Sequence, residues 1–210
     1  RIVYRRVTNT IKLYAKQRRL VQMVSDQIRA REKNTDVLVG VLSQIVEFRN
    51  GESGMHVLNV QAMTEMILTQ LMRLTDQYPL TTEDISLITM ASSLHDIGKI
   101  GVPDSILGKP GMLTPEERAV IQRHPATGVS ILQNMDTYED IIPLVLHHHE
   151  FFDGRGYPDG TSGDDLPLET YILGAADAYD AITSDRPYRK GRPPVEAARI
   201  LREEMEGCVH

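Results

Sequence analysis

The run His147-His148-His149-Glu150 closes an apolar stretch from Asp140 and opens directly into Phe151-Phe152-Asp153-Gly154-Arg155-Gly156-Tyr157-Pro158. The stretch reads as a helix that delivers imidazoles, and the glycines and proline behind it force a loop. Successive side chains on a helix lie ~100° apart, so at most two of the three histidines can face one site. Spacing alone leaves open which two. Imidazole and carboxylate without thiolate suit a borderline or hard divalent ion, and the chain has a single cysteine, Cys208. Further ligands must come from distant segments, so the fold has to bring those segments together.

The candidates are readable. His95-Asp96 follows the short apolar helix Ile85 to Leu94 and stands just before Gly98. Glu52 and His56 lie four apart, on one helical face that continues into Val60, Met63, Ile67, Leu71 and Leu74. His124 and Asp177 sit on two further helical stretches. Ligands drawn from facing helices are how helical bundles build sites for several metals.

No strand-like alternation is sustained anywhere, so the chain reads as all-α. Residues 1 to about 33 carry the stripe Val7, Ile11, Tyr14, Val21, Val24 and Ile28, with the incomplete heptad character of a linker or signalling helix. Asn34-Thr35-Asp36 offers a cap, and a second helix follows through Val37, Val41, Ile45 and Phe48. This spacing sets a linker at 1–35 and a main domain at 36–210. Gly98 to Gly111 reads as a loop with one short turn. Thr114-Pro115-Glu116-Glu117 has a cap, a first-position proline and first-turn acids, and predicts a helix to about Arg123. His124-Pro125 should end it, with another helix from Gly128 to Asn134. Helices are also expected from Glu169 to Thr183 and from Pro193-Pro194 to about Met205.

The net charge of −6 argues against a nucleic-acid polymer as partner. No apolar run approaches the ~20 residues of a membrane span. One cysteine fits a reducing compartment such as the cytoplasm. The chain opens on Arg1 without an initiator Met, as a fragment of a longer protein would. Gly154-x-Gly156 is no dinucleotide fingerprint, since no strand precedes it and the third glycine is missing.

In order along residues 36 to 207, the chain carries His95-Asp96-Ile97-Gly98-Lys99-Ile100-Gly101-Val102-Pro103, His124-Pro125, His148-His149-Glu150 and Asp153-Gly154-x-Gly156-Tyr157-Pro158. Asp177-Ala178-Tyr179-Asp180-Ala181 and Ser184-Asp185-Arg186-Pro187-Tyr188-Arg189 follow. This set closely resembles the HD-GYP branch of the HD phosphohydrolase superfamily. The resemblance implies an all-helical bundle of roughly seven helices that hydrolyses cyclic di-GMP at a centre of two or three divalent ions, and the mix of imidazole and oxygen donors favours iron or manganese. It implies metal ligation by His56, His95, Asp96, His124, His148, His149 and Asp177, and makes His147 the extra histidine. Glu52 matches an acidic ligand of members with a third metal. Lys99 matches a lysine at the scissile phosphate, so Asp96 and Lys99 are the expected catalytic pair. Tyr157, Asp180, Arg186 and Arg189 match substrate-contacting positions.

Phe151-Phe152 departs from the usual basic-residue/Trp pair, and Arg155 stands where a small residue is common. Relatives usually carry a longer C-terminal segment than the one ending at His210. The first helix resembles the connector after a receiver domain, through Arg6-Val7 and Asn9-Thr10-Ile11-x-Leu13-Tyr14, which implies an upstream receiver or sensor domain and a homodimer through that helix. A hydrolase of another cyclic dinucleotide or nucleotide, or a non-catalytic dinucleotide receptor, are the alternative readings.

Overall fold

A computed structural model describes residues 2–49, 55–133, 136–185 and 189–203. Its regular elements are all helices, as the missing strand alternation requires. The chain divides into two compact units, Arg1–Leu38 and Val39–His210.

The first helix, α1, runs Ile2–Arg49 without interruption. The cap expected at Asn34-Thr35-Asp36 does not form. Thr35 Oγ1 donates instead to the Arg31 carbonyl at 3.1 Å, the back-bonding a hydroxyl adopts inside a helix, and no glycine or proline stands between Arg31 and Val39 to break the ladder there. In the first unit, Tyr14, Val21, Val24 and Ile28 are all more than half exposed.

The second unit is built around α2 (Met55–Leu74), α3 (Thr82–Leu94), α6 (His124–Leu132), α7 (Ile142–His147) and α8 (Leu168–Thr183), with α4 (Asp104–Leu107), α5 (Pro115–Ile121) and α9 (Pro194–Glu203) outside them. α2 packs on α3 and α8, and α6 on α7 and the 3₁₀ turn Ile97–Gly101. Leu68, Ala91, Leu94, Ile97, Leu132, Leu144, Val145 and Ile172 form the shared apolar centre.

Two helix starts follow from their caps. Thr81 and Asp84 exchange side-chain and backbone bonds ahead of α3, and Thr114 and Glu117 do the same ahead of α5. α6 begins at His124, four residues before the expected Gly128. Pro125 lies in its first turn, where the missing N–H costs nothing, so this proline starts a helix as well as ending one. The helix expected from Asp140 is 3₁₀ up to Ile141 and α only from Ile142.

Candidate metal centre

His95 and Asp96 sit where α3 gives way to the 3₁₀ turn, His124 at the start of α6, His148 and His149 just past α7, His56 on α2 and Asp177 on α8. His95, His124 and His148 are at most 1% exposed, Asp96 is 5% and His56 6%. Their ligand atoms fall into groups whose members lie within 4.8 Å of one another: Asp96, His124, His148 and His149; His56, His95 and Asp177; and Glu47, His56 and Asp96. Every described residue expected as a ligand is therefore gathered in one place. Glu52 lies outside the described residues.

Three of the histidines are held in the same way. Nδ1 of His95 donates to the Ser92 carbonyl at 2.6 Å, that of His124 to Ile121 at 2.9 Å and that of His148 to Val145 at 2.8 Å. Each carbonyl lies three residues upstream. Protonation of Nδ1 leaves Nε2 of the neutral ring as a bare lone pair. Nε2 of His124 and His148 then face each other at 3.2 Å, and Asp96 Oδ1 is 3.2 Å from His124 Nε2. Asp96 Oδ1 and His95 Nε2 are buried without hydrogen-bond partners among the described residues. Buried acceptors turned on one another are costly unless a cation lies between them, so these residues fit a divalent metal.

His56 is oriented by a carboxylate. Asp180 Oδ2 is 2.7 Å from its Nδ1, while Asp180 Oδ1 accepts from Asn59 at 2.7 Å and from Ser184 at 3.0 Å. His56 Nε2 points to Asp177 at 3.3 Å. Asp180 is only 2% exposed. The substrate contact expected of it does not fit that placement, since both oxygens are spent inside the protein. Its geometry is that of a carboxylate fixing a metal-binding imidazole.

Electrostatics sort the imidazoles. Burial opposes charge on His56, but the Asp180 bond and the fields of Asp177, Glu47 and Asp96 outweigh it and lift its pKa to about 9. Burial and neighbouring imidazoles push His148 well below the ordinary value, and burial carries His149 down to about 4. Burial also works against the Asp96 charge, yet the Lys99 ammonium beside it holds its carboxyl well below the usual range. Lys99 Nζ donates to Asp96 Oδ2 at 2.5 Å.

His147 turns away. Its ring meets the Pro143 carbonyl at 3.0 Å and Asp159 at 3.1 Å, outside every ligand group. Tyr157 stacks on His149 with ring centroids 4.7 Å apart and lies edge-on to His124 at 6.5 Å. Glu150 holds this loop in place: its Oε1 accepts from the amides of Asp159 at 2.7 Å and Gly160 at 3.0 Å. Gly156 is required because a Cβ there would sit 2.4 Å from the His149 carbonyl oxygen and the Glu150 Cα. Arg189 does not reach the ligands; it is exposed and donates to the Ile182 and Ala181 carbonyls past which α8 ends. Arg186 lies outside the described residues.

One buried residue escaped the sequence reading. Glu47 of α1 is 1% exposed, and its carboxylate is grouped with His56 and Asp96. The signal was a carboxylate on the same helical face as Val39, Ser43 and Val46, all buried.

Imidazoles and the carboxylates of Asp96 and Asp177, gathered from several helices, make a helical domain with groups that could hold metal ions. The HD domain family profile matches residues 41–207, and the chain belongs to that family. It is 37% identical over 180 residues to the cyclic di-GMP phosphodiesterase response regulator RpfG of Xanthomonas campestris, covering 85% of this chain and 44% of that protein. It is 40% identical over 157 residues to the 3′3′-cGAMP-specific phosphodiesterase 2 of Vibrio cholerae, covering 72% and 28%. Among solved structures, the HDG"Y"P protein Bd1817 of Bdellovibrio bacteriovorus superposes with a TM-score of 0.58 at 25% identity, over 74% of this chain and 47% of that one. The chain thus spans less than half the length of these relatives.

Proposed function

We propose that this domain is a metal-dependent phosphodiesterase that hydrolyses cyclic di-GMP to the linear dinucleotide, and on to GMP where a third ion binds. The observation that carries the reading is the pair of bare, buried Nε2 atoms of His124 and His148 facing each other beside Asp96. Two or three divalent ions would be held by His56, His95, Asp96, His124, His148, His149 and Asp177, with Glu52 serving the third. Nitrogen and oxygen donors together favour iron or manganese. When bound, such ions supply a nucleophile at neutral pH and a clamp on the attacking and leaving oxygens. Asp96 stays ionised next to Lys99, which places a cation where phosphate charge must be met. Tyr157, stacked on His149, closes one side against water and offers a face to a base. Arg186 and Arg189 would supply further cations, Arg189 after leaving the α8 carbonyls. The domain would work in the cytoplasm, on a small ligand.

The similarity to a 3′3′-cGAMP-specific enzyme favours a mixed cyclic dinucleotide as the second reading. The test is chromatography of products after manganese- or iron-loaded protein meets cyclic di-GMP and cyclic GMP-AMP, with Asp96→Asn as control. Cleavage of cyclic di-GMP lost in the control supports the reading. Faster cleavage of the mixed dinucleotide favours the second one, and tight binding without cleavage by fully loaded protein would leave a receptor.

The partner proposal rests on α1. Val7, Tyr14, Val21 and Ile28 recur every seven residues, and the last three are more than half exposed. Val7, Val21 and Ile28 are β-branched, and Val24 adds a neighbouring apolar position between the last two; a second copy of this chain would cover such a stripe, with an upstream receiver domain feeding the same helix. Light scattering should give a dimer that Val21→Asp with Ile28→Asp turns into a monomer. A wild-type monomer at high protein concentration would overturn it.

A further inference from the structure

We infer that Glu47 is a further metal ligand, binding the ion that His56 holds. The inference rests on the metal-centre reading and adds to it a residue from a helix that supplies no other ligand.

Glu47 is 1% exposed, and neither Oε1 nor Oε2 has a hydrogen-bond partner among the described residues. A carboxyl group buried in that condition carries its desolvation cost uncompensated, and such groups are rare in folded proteins. Its position is also the one that a ligand needs. An oxygen of Glu47, a ring nitrogen of His56 and an oxygen of Asp96 lie within 4.8 Å of one another.

His56 decides which ion Glu47 joins. Its Nδ1 is taken by Asp180, so only Nε2 is left to bind metal, and one lone pair binds one ion. Asp177 approaches that same Nε2 at 3.3 Å. The Asp177 and Glu47 carboxylates therefore converge on a single ion, to which Asp96 is also near enough to contribute. Two or three carboxylates around one imidazole make a harder donor set than the imidazole-rich group of His124, His148 and His149.

The backbone holds Glu47 there. One turn earlier, Ser43 Oγ donates to the Ser93 carbonyl at 2.5 Å. Two residues later, Arg49 donates to the carbonyls of Ile100 at 2.9 Å and Val102 at 3.2 Å and pairs with Asp104 at 2.6 Å. These bonds fasten the C-terminal turns of α1 to the segment that carries His95 and Asp96. They hold the Glu47 backbone beside that segment.

The test is manganese retention in Glu47→Gln under a graded chelator, read as ions per chain, together with the rise in melting temperature on loading. The variant should release one ion at a chelator concentration at least about tenfold below that needed for wild type, the loss expected when a group supporting a metal is removed. Its loading-dependent rise in melting temperature should shrink. Identical retention and an identical rise would overturn the inference and leave the metal centre standing. A wild type that never loads would overturn both. Should the variant not fold, an anomalous map of manganese-loaded wild type decides instead: a Glu47 oxygen within about 2.5 Å of an ion supports the inference, and both oxygens remote from every ion refute it.

Discussion

Gly98→Ala tests the architecture of the centre at a residue that binds nothing. A Cβ on Gly98 would lie 1.9 Å from the His124 carbonyl oxygen and 2.5 Å from the Gly128 amide nitrogen. Both obstacles are backbone, so no side chain can swing aside. The first contact has to open to at least 3.0 Å, a displacement of about 1.1 Å between the 3₁₀ turn and the start of α6. Those two segments carry Asp96 and His124, which now meet at 3.2 Å. Metal ligation tolerates about ±0.2 Å, several times less than that displacement. The cost should reach or exceed the top of the ~1–3 kcal/mol range for overpacking. For a chain of this size it corresponds to a fall in melting temperature of roughly 6–12 °C. Calorimetry on metal-free protein reads the stability, and elemental analysis after loading reads the ions. Gly98→Ala should lose stability by that amount and give up the ion shared by Asp96 and His124. A variant melting within about 2 °C of wild type with its full ion content would show that this contact does not position the centre.

Three further outcomes follow from the same geometry. Asp180→Asn keeps a hydrogen bond to His56 but removes the charge that orients and enriches the imidazole, so metal affinity should fall about 10–100-fold in competition titrations without loss of helical content. His147→Gln should leave ion content unchanged, because His147 faces Pro143 and Asp159; loss of an ion equivalent would mean the His148–His149 pair is misassigned. In metal-free protein, the His56 pKa of about 9 stands above the unfolded value near 6.5, so its contribution, roughly 3 kcal/mol, is complete below pH 6.5 and lost as pH rises through 9. His149, at about 4, acts oppositely, and its contribution disappears as pH falls from 6.5 to 4. Metal-free stability should therefore decline in both directions, and loading at pH 7 should release a proton from His56, measurable by titration calorimetry in buffers of different ionisation enthalpy. A flat stability profile from pH 4 to 9 would contradict these shifts.

Residue types and their spacing along the chain determined the helical class, the caps at Thr81 and Thr114 and the ligand candidates, because periodicity, capping and donor chemistry are local properties. They also placed His147 outside the pair, through motif resemblance. Helix starts were less legible. Pro125 has the same local signature at a helix end and in a first turn, and Asn34-Thr35-Asp36 caps a helix only where a break exists. Tertiary structure alone decided what converges. Asp180 looked like a substrate contact until its oxygens were found on His56, Asn59 and Ser184. Glu47, 49 residues before Asp96, had no motif to mark it and became visible only when α1 was seen to bury it. A buried carboxylate is defined by what surrounds it, and those neighbours come from α2 and from the end of α3, which the chain order does not place beside it.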